Sequence, residues 1–130
     1  MKVVVDASVI LAVVMGEPER DWAIAVTRDS EAFGPRSLPF EIGNALTSLV
    51  KRRRLPAENL ENAWKATSKF AVVLNDIDIA AAVRLSGLHK IYAYDGYMLQ
   101  CALESGASLV TLDRQLAEIA RKIGLKVVEK

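Results

Sequence analysis

LVTLDRQLAEIARKIG, residues 109–124, is the stretch that decides the fold. Leu109-Val110-Thr111-Leu112 is short, mostly apolar and β-prone, which is the pattern of a strand buried on both faces. Asp113 follows immediately. A helix then runs from Arg114 to Ile123, and Gly124 stops it. Strand, aspartate, helix is therefore the unit to look for elsewhere.

It recurs at the N-terminus. Val3-Val4-Val5 reads as a buried strand, Asp6 follows, and Ser8 to Met15 reads as a helix ended by Gly16 and Pro18. A third copy is expected downstream: Ile91 to Tyr94 as a strand, then Asp95, with a helix to Glu104 and Gly106 as its stop. Between these lie a helix from Glu19 to Arg28, a short strand at Ala32-Phe33-Gly34 and the clearest helix of the chain, Leu38 to Arg53. In that helix Ile42, Ala45, Leu46, Leu49 and Val50 share one face. Pro56 suits the first turn of a helix reaching about Ala71. Val72-Val73-Leu74 is a further strand, Ile79 to Leu88 a helix, and Leu125 to Val128 a last strand. Alternating short strands and helices imply an α/β fold: a three-layer sandwich with a short-stranded, mostly parallel central sheet flanked by helices. The 130 residues fit one domain spanning 1–130, with no linker or repeat.

Composition narrows the function. Seventeen basic against sixteen acidic residues leave a net charge of +1, which excludes nucleic-acid binding by bulk charge alone. Any RNA contact must rest on a local patch or a bound metal. The single cysteine, Cys101, has no partner for an internal disulfide, and a reducing, cytoplasmic compartment is the simplest expectation. The apolar N-terminus looks superficially like a signal peptide. Asp6 interrupts it, and no A-x-A cleavage site follows. No stretch is long enough to span a membrane.

In an open parallel sheet the carboxyl ends of the strands share one edge, where ligands bind. Asp6, Asp95 and Asp113 are each expected there, and Glu41 can join them from the first turn of the Leu38 helix. An aspartate before a helix is often only a cap; three such junctions carrying the same acid point instead to a shared site. Converging carboxylates repel unless a cation neutralises them, and an all-oxygen site suits Mg2+ or Mn2+. Such an ion activates water and stabilises charge on a phosphodiester, so hydrolysis of that bond is the chemistry implied. Ser8 and Thr111, each two residues from an aspartate, are candidate supports for a carboxylate or a metal-bound water. Asn44, one helical turn past Glu41, is placed to contact a carboxylate or a phosphate. Asp76 and Asp78 also precede a helix and read as a cap and a solvated neighbour. Lys51-Arg52-Arg53-Arg54 reads as a solvated helix end, with an RNA-backbone or partner contact as the sharper alternative. Cys101 reads as a core thiol, lone His89 as surface or loop, and Trp22 and Trp64 as packing or a dimer surface rather than base stacking.

Four segments together resemble the PIN-domain family: Val5-Asp6-Ala7-Ser8-Val9, then Pro39 to Leu46 with Glu41 and Asn44, then Tyr94-Asp95-Gly96-Tyr97-Met98-Leu99, then Leu109 to Leu116 with Thr111 and Asp113. They occur in the family's order and span nearly the whole chain. The subgroup most similar is the VapC-like toxins of toxin–antitoxin pairs. The resemblance implies a single PIN-like domain and a Mg2+- or Mn2+-dependent endoribonuclease. It further implies RNA as substrate, a small cognate antitoxin as partner and often a homodimer. It assigns Asp6, Glu41, Asp95 and Asp113 to the metal and to catalysis. A PIN-like RNA-processing nuclease without an antitoxin, or a non-catalytic metal- and RNA-binding module, are the alternatives. A phosphatase of the haloacid-dehalogenase type would need a second aspartate where Ser8 stands, and a receiver domain would need a lysine at a late strand end.

Overall fold

The computed structural model describes residues 1–130. Its layering follows from three valines. Successive strand side chains point to opposite faces, yet Val3, Val4 and Val5 are all 0% exposed. Strand β1 (Lys2–Val5) must therefore be covered on both sides.

The chain continues through α1 (Ala7–Val14), α2 (Arg20–Arg28), β2 (Glu31–Pro35), α3 (Leu38–Lys51), α4 (Leu60–Thr67), β3 (Val73–Asn75), α5 (Ile79–His89), α6 (Ala93–Ser105), β4 (Ser108–Val110), α7 (Arg114–Lys122) and β5 (Val127–Val128). The five strands form one sheet in the order β3-β2-β1-β4-β5. Every pairing is parallel, with Val5 opposite Val110 and Val4 opposite Phe33. From β1 the chain steps outward to β2 and β3, then returns across β1 to lay down β4 and β5. The direction of winding thus reverses between β1 and β4, and a crevice opens there at the carboxyl ends of the strands. Right-handed crossovers put α1 to α4 on one face and α5 to α7 on the other. The packing agrees: α1 touches α2, α3 and α4, whereas α6 lies on β1, β2 and β4 and carries α5. Ile10, Leu38, Leu46, Met98, Leu99 and Leu109 fill the two interfaces. No helix is long and apolar enough to cross a membrane.

The sheet is wholly parallel where a mostly parallel one was expected, and the elements differ from expectation in three places. Ile91 to Tyr94 is not a strand. Lys90 takes a left-handed φ of 55° to close α5, the Ile91 amide bonds the Ser86 carbonyl at 3.0 Å, and α6 starts at Ala93. The short connection makes α5 and α6 a helical hairpin, which leaves no room for a strand. Asp95 is consequently the third residue of a helix rather than the residue after a strand. The helix expected from Pro56 to Ala71 opens instead as a 3-10 turn (Ala57–Asn59), and α4 ends at Thr67. There the Thr67 and Ser68 hydroxyls bond the carbonyls of Trp64 and Lys65, which competes with a further turn. Strands β4 and β5 are also shorter than expected. Thr111 and Leu112 leave the ladder, and that frees Thr111 to reach Asp6.

Candidate active site

Asp6 and Asp113 stand just beyond β1 and β4, on the two sides of the reversal in winding. The Asp6 amide still bonds the Val110 carbonyl at 3.3 Å, so its side chain emerges at a fixed point of the crevice. That side chain is 5% exposed and is held from three sides. Oδ1 accepts from the Ser8 hydroxyl at 2.5 Å and from the Val9 amide at 3.3 Å, and Oδ2 accepts from the Thr111 hydroxyl at 2.5 Å. Each hydroxyl in turn accepts a backbone N–H, Leu112 onto Ser8 and Asp113 onto Thr111. With their lone pairs so engaged, both hydroxyls direct their protons at Asp6. Burial nevertheless raises the Asp6 pKa to about 6; the three hydrogen bonds oppose the rise and the charge of Asp113 adds to it.

Glu41 comes from the first turn of α3, on the opposite side of β1 from β4. Its Oε2 is buried and has no hydrogen-bond partner. Its pKa is pushed up to about 8, first by desolvation and then by the charges of Asp6 and Asp95. Asp95, in the first turn of α6, is raised as well, by desolvation and by Asp113. The charge of Asp113 thus reaches Asp6 and Asp95, and those of Asp6 and Asp95 reach Glu41, which places the four sequence-predicted acids near one another at this edge of the sheet. Asp113 serves a second purpose, because its Oδ1 caps α7 through the amides of Gln115 and Leu116.

The donor set fits a hard divalent cation. A buried carboxylate oxygen without a donor, close enough to feel the charges of Asp6 and Asp95, is an arrangement that a bound cation would satisfy. No three acid, histidine or cysteine side chains close tightly enough to enclose an ion by themselves. An ion held here would have to complete its shell with several water ligands, as Mg2+ and Mn2+ commonly do. The chemistry open to such an arrangement is polarisation of a phosphoryl oxygen and activation of water.

Beside the acids lies a cleft of about 850 Å³ walled by α1, α3 and the start of α6. Leu11, Ala7 and Ala45 form its apolar lining, Ser8, Glu41, Asn44 and Asp95 its polar side, and Tyr92, Tyr94 and Tyr97 its rim. Tyr94 and Tyr97 meet edge to face, with ring centroids 6.1 Å apart. Asp113 opens on the other side, into a second cleft of about 480 Å³ that it shares with Arg114 and Arg121.

The PIN domain family model matches residues 3–122. The chain belongs to the PIN-domain family. Over 128 residues this PIN domain is 34% identical to Ribonuclease VapC3 of Pyrobaculum aerophilum, covering 91% of this chain and 94% of that protein. It also superposes on the crystal structure of PAE2754 from Pyrobaculum aerophilum with a TM-score of 0.68 and 26% identity, over 92% of this chain and 87% of that one. The matched span holds all four acids and stops short of β5.

Within the PIN domain, Ser8 bonds Asp6, two residues away, whereas Thr111, two residues from Asp113, reaches across the sheet to Asp6 instead. Asn44 lines the cleft, exposed, with no hydrogen bond to an acid. The cap of α5 is Asp78, through the Ala81 amide, rather than Asp76, which is paired with Arg36 at 2.5 Å on the surface. Cys101 is fully buried, and its thiol is pushed up to about 11, so it is inert packing. What sequence reasoning missed is the tyrosine rim. Its signal was present in Tyr92-Ala93-Tyr94-Asp95-Gly96-Tyr97, three tyrosines around one candidate acid.

Proposed function

We propose that this PIN domain is a Mg2+- or Mn2+-dependent endoribonuclease that hydrolyses RNA phosphodiester bonds and acts as the toxin of a toxin–antitoxin pair. The observation that carries the reading is Glu41 Oε2, buried and unpartnered between Asp6 and Asp95. Asp6 and Asp95 would be the principal metal ligands, with Glu41 and Asp113 beside them. When bound, the cation neutralises the acids and supplies Lewis-acid stabilisation to the phosphodiester. The protein's own part is positioning. Ser8 and Thr111 lock the Asp6 carboxylate, and the helix bonds at Asp113 leave its Oδ2 free to orient a water. Glu41 Oε2 can hold a proton near neutral pH. The likeness to Ribonuclease VapC3 supports RNA as substrate and a small antitoxin as partner. A homodimer and a cytoplasmic setting belong to the same proposal.

Cleavage of labelled RNA by the purified chain tests it. Activity should require added Mg2+ or Mn2+ and stop with a chelator. Chelator-resistant cleavage would contradict the reading, and a chain with one histidine is poorly equipped for metal-free acid–base cleavage. Harmless overexpression, with no small protein co-purifying, would remove the toxin assignment and leave the nuclease.

A further inference from the structure

The cleft beside the acids holds more apolar and aromatic surface than phosphodiester chemistry needs. Tyr92 is 85% exposed and Tyr94 38% exposed, at the N-cap and in the first turn of α6, and both line the cleft that contains Glu41 and Asp95. Exposed aromatic rings gain nothing from water and offer flat faces for stacking. The edge-to-face contact with Tyr97 fixes the plane of Tyr94. On the α3 wall of the same cleft, the Asn44 amide supplies both a donor and an acceptor, which suits the edge of a base.

A second observation is independent of the first. At about 100° per residue, Glu41, Ser48 and Arg52 fall in line along α3, with Asn44 and Lys51 on one shoulder. The stripe leads from the cleft to Lys51 and Arg52, about 16 Å from Glu41 along the helix. Both are exposed, and neither they nor Arg53 and Arg54 form an ion pair. Free cations in line with an aromatic cleft and an acid site make a track for a single strand: stacking at one end, backbone charge at the other.

We propose that this cleft is a nucleobase subsite for single-stranded RNA, in which an unpaired base stacks on Tyr94 and Tyr92 beside Asn44 while the strand runs along α3 to Lys51 and Arg52. The inference rests on the reading of the acids as an RNA-cleaving centre, but it concerns recognition. A base held in a duplex is already stacked and cannot enter, so paired RNA is excluded.

Binding without catalysis separates the two claims. Fluorescence anisotropy of a short fluorescein-labelled oligoadenylate, in chelator, should show Tyr94→Ala weakening affinity roughly tenfold, the size of one lost base–aromatic stack. Tyr94→Phe keeps the ring face and should keep most of the affinity. An oligonucleotide with one abasic position should bind the unmutated chain more weakly and Tyr94→Ala no more weakly still. Lys51→Ala combined with Arg52→Ala should flatten the dependence of log affinity on log salt by roughly 1.4, for two single-strand phosphate contacts. Melting curves of each variant control for folding. If Tyr94→Ala and the abasic probe both bind as the parents do, the subsite is refuted, and the tyrosines then face a protein partner instead. If the binding pattern holds but no RNA is cut with Mn2+, the nuclease reading fails and the subsite stands. Cutting with an unchanged KM in Tyr94→Ala refutes the subsite and leaves the nuclease.

Discussion

The Thr111 hydroxyl donates to Oδ2 of Asp6 at 2.5 Å, across 105 residues of chain and across the gap where the winding of the sheet reverses. One short contact thus ties the ends of β1 and β4 together at the point of chemistry. Thr111→Val keeps the shape and removes it. The hydrogen bond lowers the Asp6 pKa, so without it the value should move above about 6. The Asp113 amide also loses its acceptor. RNA cleavage should fall, and the acid limb of its pH–rate profile should shift to higher pH. Melting should report a cost of about 1–3 kcal/mol for the unpaired buried groups. An unchanged acid limb would mean that Thr111 does not tune Asp6.

Metal-free stability should depend on pH in an unusual direction. Asp6 and Glu41 are both raised, from 3.8 to about 6 and from 4.5 to about 8. A raised carboxylate contributes stability that is fully present below its unfolded pKa and is lost as pH rises through the folded value. The chain in chelator should therefore melt at a higher temperature near about pH 5 than near about pH 9. Glu41→Gln should flatten the upper part of that slope and stabilise the metal-free chain at neutral pH, because a neutral amide replaces the most perturbed acid. A slope of opposite sign between those pH values would contradict the electrostatic account of the site.

Asp113 has two duties that substitution can separate. Its Oδ1 caps α7, and an asparagine caps about as well. Asp113→Asn should leave the melting temperature nearly unchanged while lowering cleavage. Asp113→Ala should lower both, with a cap loss of about 1 kcal/mol. Equal stability loss in both variants would mean that charge, not capping, holds the start of α7.

Gly96 follows Asp95 and sits where α5 and α6 press closest. A Cβ there would lie 1.8 Å from Ser86 Oγ and 2.8 Å from the Ala82 carbonyl oxygen. Gly96→Ala should destabilise the chain by about 1–3 kcal/mol, a typical cost of overpacking. Ser86→Ala in the same chain should rescue it only in part, since the backbone carbonyl remains. Full rescue would show that the serine alone sets the spacing.

The legible parts of this protein were local. Asp6 and Asp113 could be found because strand, acid and helix are adjacent in sequence, and Ser8 because a two-residue step puts its hydroxyl on Asp6; that Thr111 bonds Asp6 rather than the nearby Asp113 depends on the pairing of β1 with β4. Glu41 was legible as a first-turn acid. Asp95 was expected after a strand and stands instead in the first turn of a helix: Ile91-Tyr92-Ala93-Tyr94 has the composition of a strand, and only the tight turn at Lys90 makes it a helix entry. The strand order, the unpartnered state of Glu41 Oε2 and the tyrosine rim were not legible. Each depends on how segments far apart in sequence come together, and no single segment encodes that.

The central claim is that these acids hold a divalent cation, and calorimetric titration of Mn2+ tests it most directly. The unmutated chain should bind, and Asp6→Asn and Asp95→Asn should each bind markedly more weakly while melting as folded proteins, because the amide keeps the shape and loses the charge that the cation neutralises. Mn2+ affinity unchanged in both variants, or absent from the unmutated chain, would contradict the account.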